Sequence, residues 1–296
     1  MRPPPEAIAT LSLIVGAIAF LILIGVEGAL LFAVWRYRAS RHEPGEPAVR
    51  DQNRALEIAW TAAPALILVV IFVLMLGTVR EINGAGVEAA MRIRAIGHQW
   101  WWEFDYSGTV SANELHIPVD TPIDLELRSD DVIHSFWVPG LGPKTDMVPG
   151  TTNRLRLFTR SPGTYDGQCA EFCGIEHAWM RIRVIAQPRA DFDAWLSSQA
   201  APRTADANGG ERIFLANICV SCHTIRGTAA AGTAGPDLTH VGSRETIGAG
   251  VLANDVANMR DWLADPQRVK PGVLMPRVPL SEPELNALAQ YMVSLK

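Results

Sequence analysis

Two thiols, an imidazole and a thioether lie within twelve residues near the middle of the chain. They belong to Cys169, Cys173, His177 and Met180, and a second imidazole, His134, lies upstream. Thiolate, imidazole and thioether together are the ligands of a copper electron-transfer site, whereas zinc makes little use of a thioether. The sequence therefore predicts a copper site. A Cys169–Cys173 disulfide or a structural zinc site is the alternative, although neither requires both His134 and Met180.

A second cysteine pair occurs in Cys219-Val-Ser-Cys222-His223. C-x-x-C-H is the attachment site of a c-type haem, in which the thiols form two thioethers and the histidine lies beneath the iron. A redox-active C-x-x-C is the alternative, but it would not require His223.

The ligand on the far side of the haem iron should be a methionine or a histidine. Met275 precedes a predicted terminal helix and is the preferred candidate. Met259 lies in a helical pattern typical of a core residue, and His240 is the weaker rival. Methionine ligation raises the haem potential, as an electron carrier requires.

The composition of the chain fits a membrane protein with folded domains. Of its 296 residues, 48% are hydrophobic and 19% charged, which excludes disordered, collagen-like and small disulfide-rich chains. The net charge is −5 and basic residues form no patch, so we expect no nucleic-acid partner.

Two apolar runs predict a transmembrane helical hairpin within residues 1–80, with helices at about 7–36 and 56–79. The first run is too long for the core of a signal peptide, so we interpret it as a retained helix. The residues between the helices are rich in arginine: Arg36, Arg38, Arg41, Arg50 and Arg54. The positive-inside rule therefore places this loop in the cytoplasm, and the amino terminus and everything after the hairpin on the outer face.

The outer region divides into two predicted domains. Residues 81–199 contain short alternating strands separated by Pro-Gly turns, typical of an antiparallel sandwich or barrel, and a helix over 189–198. A small, polar, aperiodic segment at about 197–210 predicts a linker. Residues 200–296 form the haem domain.

Residues 8–190 resemble the copper-bearing subunit II of haem-copper cytochrome c oxidases. The resemblance rests on both helices and on four motifs: Gly97-His-Gln-Trp100-Trp-Trp, His134-Ser-Phe-Trp-Val-Pro139, Leu141-Gly-Pro-Lys144-Thr-Asp146 with Pro149-Gly150, and the whole segment Cys169–Met180.

This resemblance implies a cupredoxin β-barrel that holds a dinuclear CuA centre. In the implied ligand set, Cys169 and Cys173 bridge two coppers, and His134 and His177 each bind one. Met180 and the main-chain carbonyl of Glu171 are weak axial contacts. The Glu171 carboxylate would also reach a magnesium ion shared with subunit I.

Residues beyond the linker resemble a class I cytochrome c, an all-α domain. The resemblance implies contact between the helices of Phe214 and Tyr291, and a Pro236 carbonyl that orients His223. Ser281-Glu-Pro-Glu284 predicts a capping box at the start of the last helix.

Together the two resemblances imply subunit II of a bacterial aa-type oxidase with a fused cytochrome c, the caa-type branch, in the bacterial inner membrane. The implied path leads from a cytochrome c or bc-complex donor through haem c and CuA to haem a and the haem–CuB centre of subunit I. There oxygen is reduced to water with proton translocation, so this chain is an enzyme component among other oxidase subunits in the lipid bilayer.

Two further residues receive roles from the resemblance. Glu57 would lie at the mouth of a proton channel, the alternative being a solvated carboxylate at a helix start. Trp100 would be an exposed aromatic beside CuA through which electrons enter. A membrane-tethered CuA/haem c carrier, or another CuA enzyme such as a nitrous oxide reductase, is the alternative function.

Overall fold

A computed structural model describes residues 3–38, 53–84, 88–201 and 209–296. The chain falls into two compact units, residues 2–85 and residues 86–296. The second unit contains both predicted outer domains, so these two domains pack against each other within one unit.

The first unit consists of two long apolar helices, α1 (Pro4–Tyr37) and α2 (Arg54–Ile82). Both are long and apolar enough to cross a membrane, and their apolar side chains are largely exposed, as expected of lipid-facing helices. Asn53 caps α2 by accepting a hydrogen bond from the Leu56 amide at 3.2 Å. The two predicted helices are confirmed, although α2 continues past the boundary predicted at residue 80. Arg41 and Arg50 of the predicted cytoplasmic loop lie outside the described residues.

The first half of the second unit is a pair of five-stranded sheets. Their strand orders are β3-β2-β1-β5-β8 and β4-β10-β9-β6-β7. The strands are β1 (Met91–His98), β2 (Trp101–Asp105), β3 (Val110–Ala112), β4 (Glu114–Pro118), β5 (Ile123–Ser129), β6 (His134–Trp137), β7 (Thr145–Met147), β8 (Asn153–Leu157), β9 (Gly163–Cys169) and β10 (Arg181–Gln187).

The alternation read from the sequence explains this core. Ile123, Leu125 and Leu127 on β5 are fully buried, while Arg128 is exposed, because successive side chains of a strand point to opposite faces. Two pairings, β1 with β5 and β4 with β10, are parallel, and all the others are antiparallel. The sandwich is therefore mixed, not purely antiparallel as predicted.

Helix α3 (Arg189–Ala200) ends the β-rich region, and its own Phe192 side chain is buried. The linker predicted at about 197–210 is therefore wrong at its start, because residues 197–200 continue this helix. Its end also overlaps the next helix by one residue, since α4 begins at Gly210. Residues 202–208 of the predicted linker lie outside the described residues.

The haem region is mainly helical. Its elements are α4 (Gly210–Ala216), β11 (Thr246–Ile247), β12 (Leu252–Ala253), α5 (Val256–Ala264), α6 (Pro266–Val269) and α7 (Glu282–Ser294), with short 3-10 helices at Ile218–Ser221 and Val241–Ser243.

Helices α4 and α7 pack as the class I cytochrome resemblance implies. Phe214 and Tyr291 are both buried in one hydrophobic cluster. A Cβ at Gly210 would collide with Tyr291, so only glycine permits this close approach. The predicted capping box is present, with the Ser281 amide donating to the Glu284 carboxylate at 2.8 Å.

Candidate copper and haem sites

The candidate copper ligands come from five neighbouring places in the β-rich region. His134 opens β6 and Cys169 ends β9. Cys173 lies in the loop that follows, and His177 begins a 3-10 helix. Met180 directly precedes β10. All but His177 are buried.

These side chains converge without a covalent bond between the two cysteines. The ligand atoms of His134, Cys169 and Cys173 lie within 4.8 Å of one another. The Cys173 Sγ atom is 3.6 Å from His177 Nδ1 and 3.8 Å from Met180 Sδ. Soft sulfur and imidazole donors at this separation fit copper.

The cysteine environment favours a thiolate. All four cysteines of the chain are free thiols, so the structure does not contain the alternative disulfide. A hydrogen bond between the two thiols lowers the pKa of Cys169 to about 3 and raises the pKa of Cys173, since both sulfurs share one proton. The Glu171 main-chain oxygen, which the resemblance implies as a weak copper contact, accepts from Cys169 Sγ at 3.2 Å.

A carboxylate orients the buried His134 ring. His134 Nε2 lies 2.7 Å from Asp131 Oδ1, and its Nδ1 lies 3.9 Å from Cys169 Sγ. Because a carboxylate accepts, Nε2 carries the proton and the lone pair of Nδ1 faces the sulfurs. Such carboxylate–histidine pairs fix the tautomer of metal ligands. Gly97 makes room for the ring, since a Cβ there would lie 2.8 Å from His134 Cδ2.

His223 of the C-x-x-C-H motif is held in the same manner by a backbone carbonyl. Its Nδ1 donates to the Pro236 oxygen at 2.8 Å, as the sequence predicts, which leaves the Nε2 lone pair for a metal. Burial lowers the pKa of His223 and keeps the ring neutral. Gly235 permits this contact, because a Cβ there would lie 2.6 Å from His223 Cε1.

An apolar cavity of about 290 Å³ adjoins His223 and both cysteines of its motif. Met275 and Met259 both line it, whereas His240 does not. Instead, His240 Nε2 lies 3.2 Å from the Ala201 oxygen. Of the three candidates for the far ligand, the two methionines therefore share the cavity. Met259 is also part of the buried core, as expected.

Comparison with known proteins assigns the family. The chain matches the transmembrane domain of cytochrome c oxidase subunit II over residues 3–76, its periplasmic domain over 109–187, and cytochrome c over 207–296. A cytochrome c oxidase subunit 2 from Alkalihalophilus pseudofirmus is 39% identical over 97% of this chain and 84% of the relative. The chain belongs to the cytochrome c oxidase subunit II family.

A second relative agrees with this assignment. Cytochrome c oxidase subunit 2 of Bacillus subtilis is 31% identical over 90% of this chain and 82% of the relative. The crystallised periplasmic domain of subunit II from Bradyrhizobium japonicum is 29% identical over 38% of this chain and 96% of that domain, with a TM-score of 0.37. This subunit II is thus a membrane-embedded component of a haem-copper oxidase with a fused cytochrome c domain and a cupredoxin-like domain.

Membership implies CuA copper and haem c, and the residues present fit both groups. A soft donor set within contact distance suits copper. Two thiols and a neutral imidazole on an apolar cavity suit a covalent haem.

Trp100 of subunit II is not the exposed aromatic expected from the sequence. Only 8% of its surface is exposed, and it lines the haem cavity. Its indole Nε1 donates to the Cys173 oxygen at 2.9 Å, beside the candidate copper ligands. Its main-chain oxygen accepts from Lys270 of the haem region. The expectation fails because the haem domain covers this face of the sandwich.

Two other predicted site residues have carboxylates that are at least partly exposed. The Glu171 carboxylate is half-exposed and lies 3.7 Å from Lys144 Nζ. Glu57 lies in the first turn of α2 and is exposed. His98 and His116 are structural, as expected: His98 stacks on Trp101 with ring centroids 4.2 Å apart, and His116 bonds Gln187.

Sequence reasoning missed the residues that support the sites. The one indication of Asp131 in the sequence is its position three residues before a candidate ligand. No sequence pattern indicated Lys270 and Glu176, which belong to different outer regions and approach each other in the structure. No pattern indicated Glu114 either, whose buried carboxylate accepts from the Thr246 amide and hydroxyl at 2.8 and 3.0 Å.

Proposed function

We propose that this subunit II accepts electrons from a cytochrome c or bc-complex donor and relays them to subunit I. Bound haem c and dinuclear CuA would supply one-electron redox chemistry, linking the donor to haem a and the oxygen-reducing haem–CuB centre of subunit I. The observation that carries the proposal is that Trp100 touches both sites.

We assign residues to each group from the family resemblance, which the contacts support. Copper would be held by Cys169, Cys173, His134, His177, Met180 and the Glu171 carbonyl. Haem c would be attached to Cys219 and Cys222, with His223 and Met275 as its axial ligands. His134 and His223 each turn a lone pair toward the expected metal, because their other nitrogens donate to Asp131 and Pro236.

The sequence predicts that Trp100 receives electrons from an external donor, whereas its contacts favour a role between the two sites of this chain. Its indole is bonded to the main chain of Cys173 and forms a wall of the haem cavity. We therefore assign it to the path between haem c and CuA. With the haem domain covering this face, an external donor would dock on the haem domain.

Three further assignments rest on the family. The Glu171 carboxylate would bind magnesium together with subunit I, displacing the weak contact with Lys144. Glu57 would serve a proton channel at the cytoplasmic start of α2. The hairpin would span the bacterial inner membrane with both of its ends on the periplasmic side, followed by the copper domain (81–199) and the haem domain (200–296).

The proposal is tested by metal and haem analysis of the purified oxidase complex, combined with electron paramagnetic resonance. We expect a mixed-valence CuA signal and a haem that stays on this chain after denaturation. Cys173→Ser should abolish the CuA signal and leave the haem attached. The matched variant Cys222→Ser should remove one thioether and leave the CuA signal unchanged. Zinc or a cystine at Cys169 and Cys173 in the wild-type complex would overturn the proposal.

A further inference from the structure

Lys270 is a lysine buried at the junction of the two outer regions. Only 2% of its side chain is exposed, and its Nζ donates to the Trp100 main-chain oxygen at 3.1 Å. The Glu176 carboxylate, 1% exposed, lies 4.0 Å away. A buried charge is costly unless it is paired and hydrogen-bonded. The contacts with the Trp100 oxygen and the Glu176 carboxylate therefore compensate the cost of burying the Lys270 ammonium.

The partners of Lys270 adjoin the candidate copper ligands. Glu176 directly precedes His177. Trp100 is bonded through its indole to the Cys173 oxygen. Among the residues that the structure describes, Glu176 Oε2 has no hydrogen-bond partner, so the Lys270 ammonium is its compensating charge. Burial lowers the pKa of Lys270 to about 8, and the charge of Glu176 opposes that shift.

On the other side, Lys270 begins the segment that leads to Met275. The segment is built tightly, with the Lys270 amide bonded to the Pro266 oxygen at 2.8 Å and the Val273 amide to the Lys270 oxygen at 3.1 Å. Gly272, at φ +103°, packs so closely on Ile175 that a Cβ would lie 2.8 Å from Ile175 Cγ2. One ammonium thus joins the haem-cavity segment to the loop of the copper ligands.

We propose that Lys270 is a positioning residue for electron transfer within this chain. It fixes the Met275 segment of the haem domain against Trp100 and Glu176, and so sets the separation of the two centres. The inference rests on the proposed function. Because electron tunnelling slows exponentially with distance, a looser junction would slow the transfer of an electron from reduced haem c to oxidised CuA, a step that moves no proton.

The test replaces Lys270 by the uncharged Lys270→Met in the assembled oxidase. We expect the haem c absorption and CuA resonance spectra to remain, and the haem-to-CuA transfer after flash reduction to slow about tenfold or more, as ångström-scale misplacement does in other positioned reactions. Pulsed dipolar resonance should give one narrow haem–CuA distance distribution in the wild type and a broader one in the variant. A residue that only stabilises the fold would leave that distribution unchanged.

A second variant guards against a folding defect. Glu176→Gln keeps the side-chain shape and removes the carboxylate charge, so it should also broaden the distribution. Lys270→Met/Glu176→Gln should lose less than the two single changes combined, because no unpaired charge stays buried. Lys296→Met, at the exposed end of the haem domain, is the matched control and should behave as wild type.

The outcomes separate this inference from the proposed function. If the wild type carries both centres and relays electrons, but Lys270→Met and Glu176→Gln match it in rate and distance, this inference alone is overturned. An equal effect of Lys296→Met would also overturn it. A wild-type complex without CuA or covalent haem would overturn both.

Discussion

The copper-ligand cluster and the haem cavity are built in different ways. In the cluster, the donor atoms of different residues lie close together. Cys173 Sγ is 3.6 Å from His177 Nδ1, and Cys169 Sγ is 3.9 Å from His134 Nδ1. In the haem region, His223 and two methionines line a cavity of about 290 Å³.

The difference reflects the size of the group that each site would hold. A metal ion occupies little space, so the protein must bring its donors almost into contact. A haem would be large enough to be part of the hydrophobic core, and the Pro236 carbonyl orients His223, the histidine that would bind its iron. The second ligand of the haem iron would be Met275 or Met259, because both methionines line this cavity.

The largest predicted effect decides between these methionines. Met275→Ala should leave the haem covalently attached and lower its midpoint potential, because methionine ligation raises the potential. Met259→Ala should leave the potential near that of the wild type and lower the free energy of unfolding by about 2–5 kcal/mol, the cost of truncating a buried methionine. Redox titration and thermal unfolding of the complex measure the two effects. The opposite pattern would assign the ligand to Met259.

Met275→Leu serves as the control for side-chain volume. It keeps the segment filled but has no sulfur, so its potential should fall as in Met275→Ala. If the potential of Met275→Leu matched that of the wild type, the role of Met275 would be packing.

The sequence identified the candidate copper and haem residues, but not the residues that hold them in place. The spacing of Cys169, Cys173 and His177 is local, so a single motif revealed it. Asp131 was missed because an acidic residue near a histidine is common. Lys270 was missed because its partners, Trp100 and Glu176, lie far away in the chain and only tertiary packing joins them.

The same limit explains the main errors. Alternation along β1 and β2 could not reveal that the haem domain covers Trp100. The small polar residues 197–200 suggested a linker, but they continue α3, whose buried Phe192 and Gln199 anchor it. Tertiary contacts overrode local composition in both places.

A smaller effect is expected for the carboxylate behind His134. Asp131→Asn removes the negatively charged carboxylate that accepts from His134 Nε2, and loss of such a partner typically lowers metal affinity about 10–100-fold. Copper competition with a chelator, followed by the CuA resonance, measures this change. Asp130→Asn is the matched control, since its half-exposed carboxylate faces His98 at 4.0 Å and not a ligand. Equal copper affinities of the two variants would exclude the orienting role of Asp131.

The smallest effect sharpens the contrast between a ligand histidine and a structural one. His116 is buried like His134, but its Nδ1 meets the neutral amide of Gln187 at 2.9 Å and its ring stacks on Trp195 at 3.9 Å. Within the described part of the chain no carboxylate is bonded to it, and burial lowers its pKa from 6.5 to about 4.

The pKa of His116 predicts how stability depends on pH. Below pH 6.5 the unfolded chain binds a proton that the folded chain binds only near pH 4, so stability falls as the pH falls through this window. Between pH 6.5 and 5.5 the loss should be about 1 kcal/mol. Denaturant unfolding of the full chain in detergent measures it, and His116→Gln, although less stable because it lacks the stacked ring, should show a shallower pH slope. An unchanged slope in His116→Gln would assign the acid sensitivity to another group.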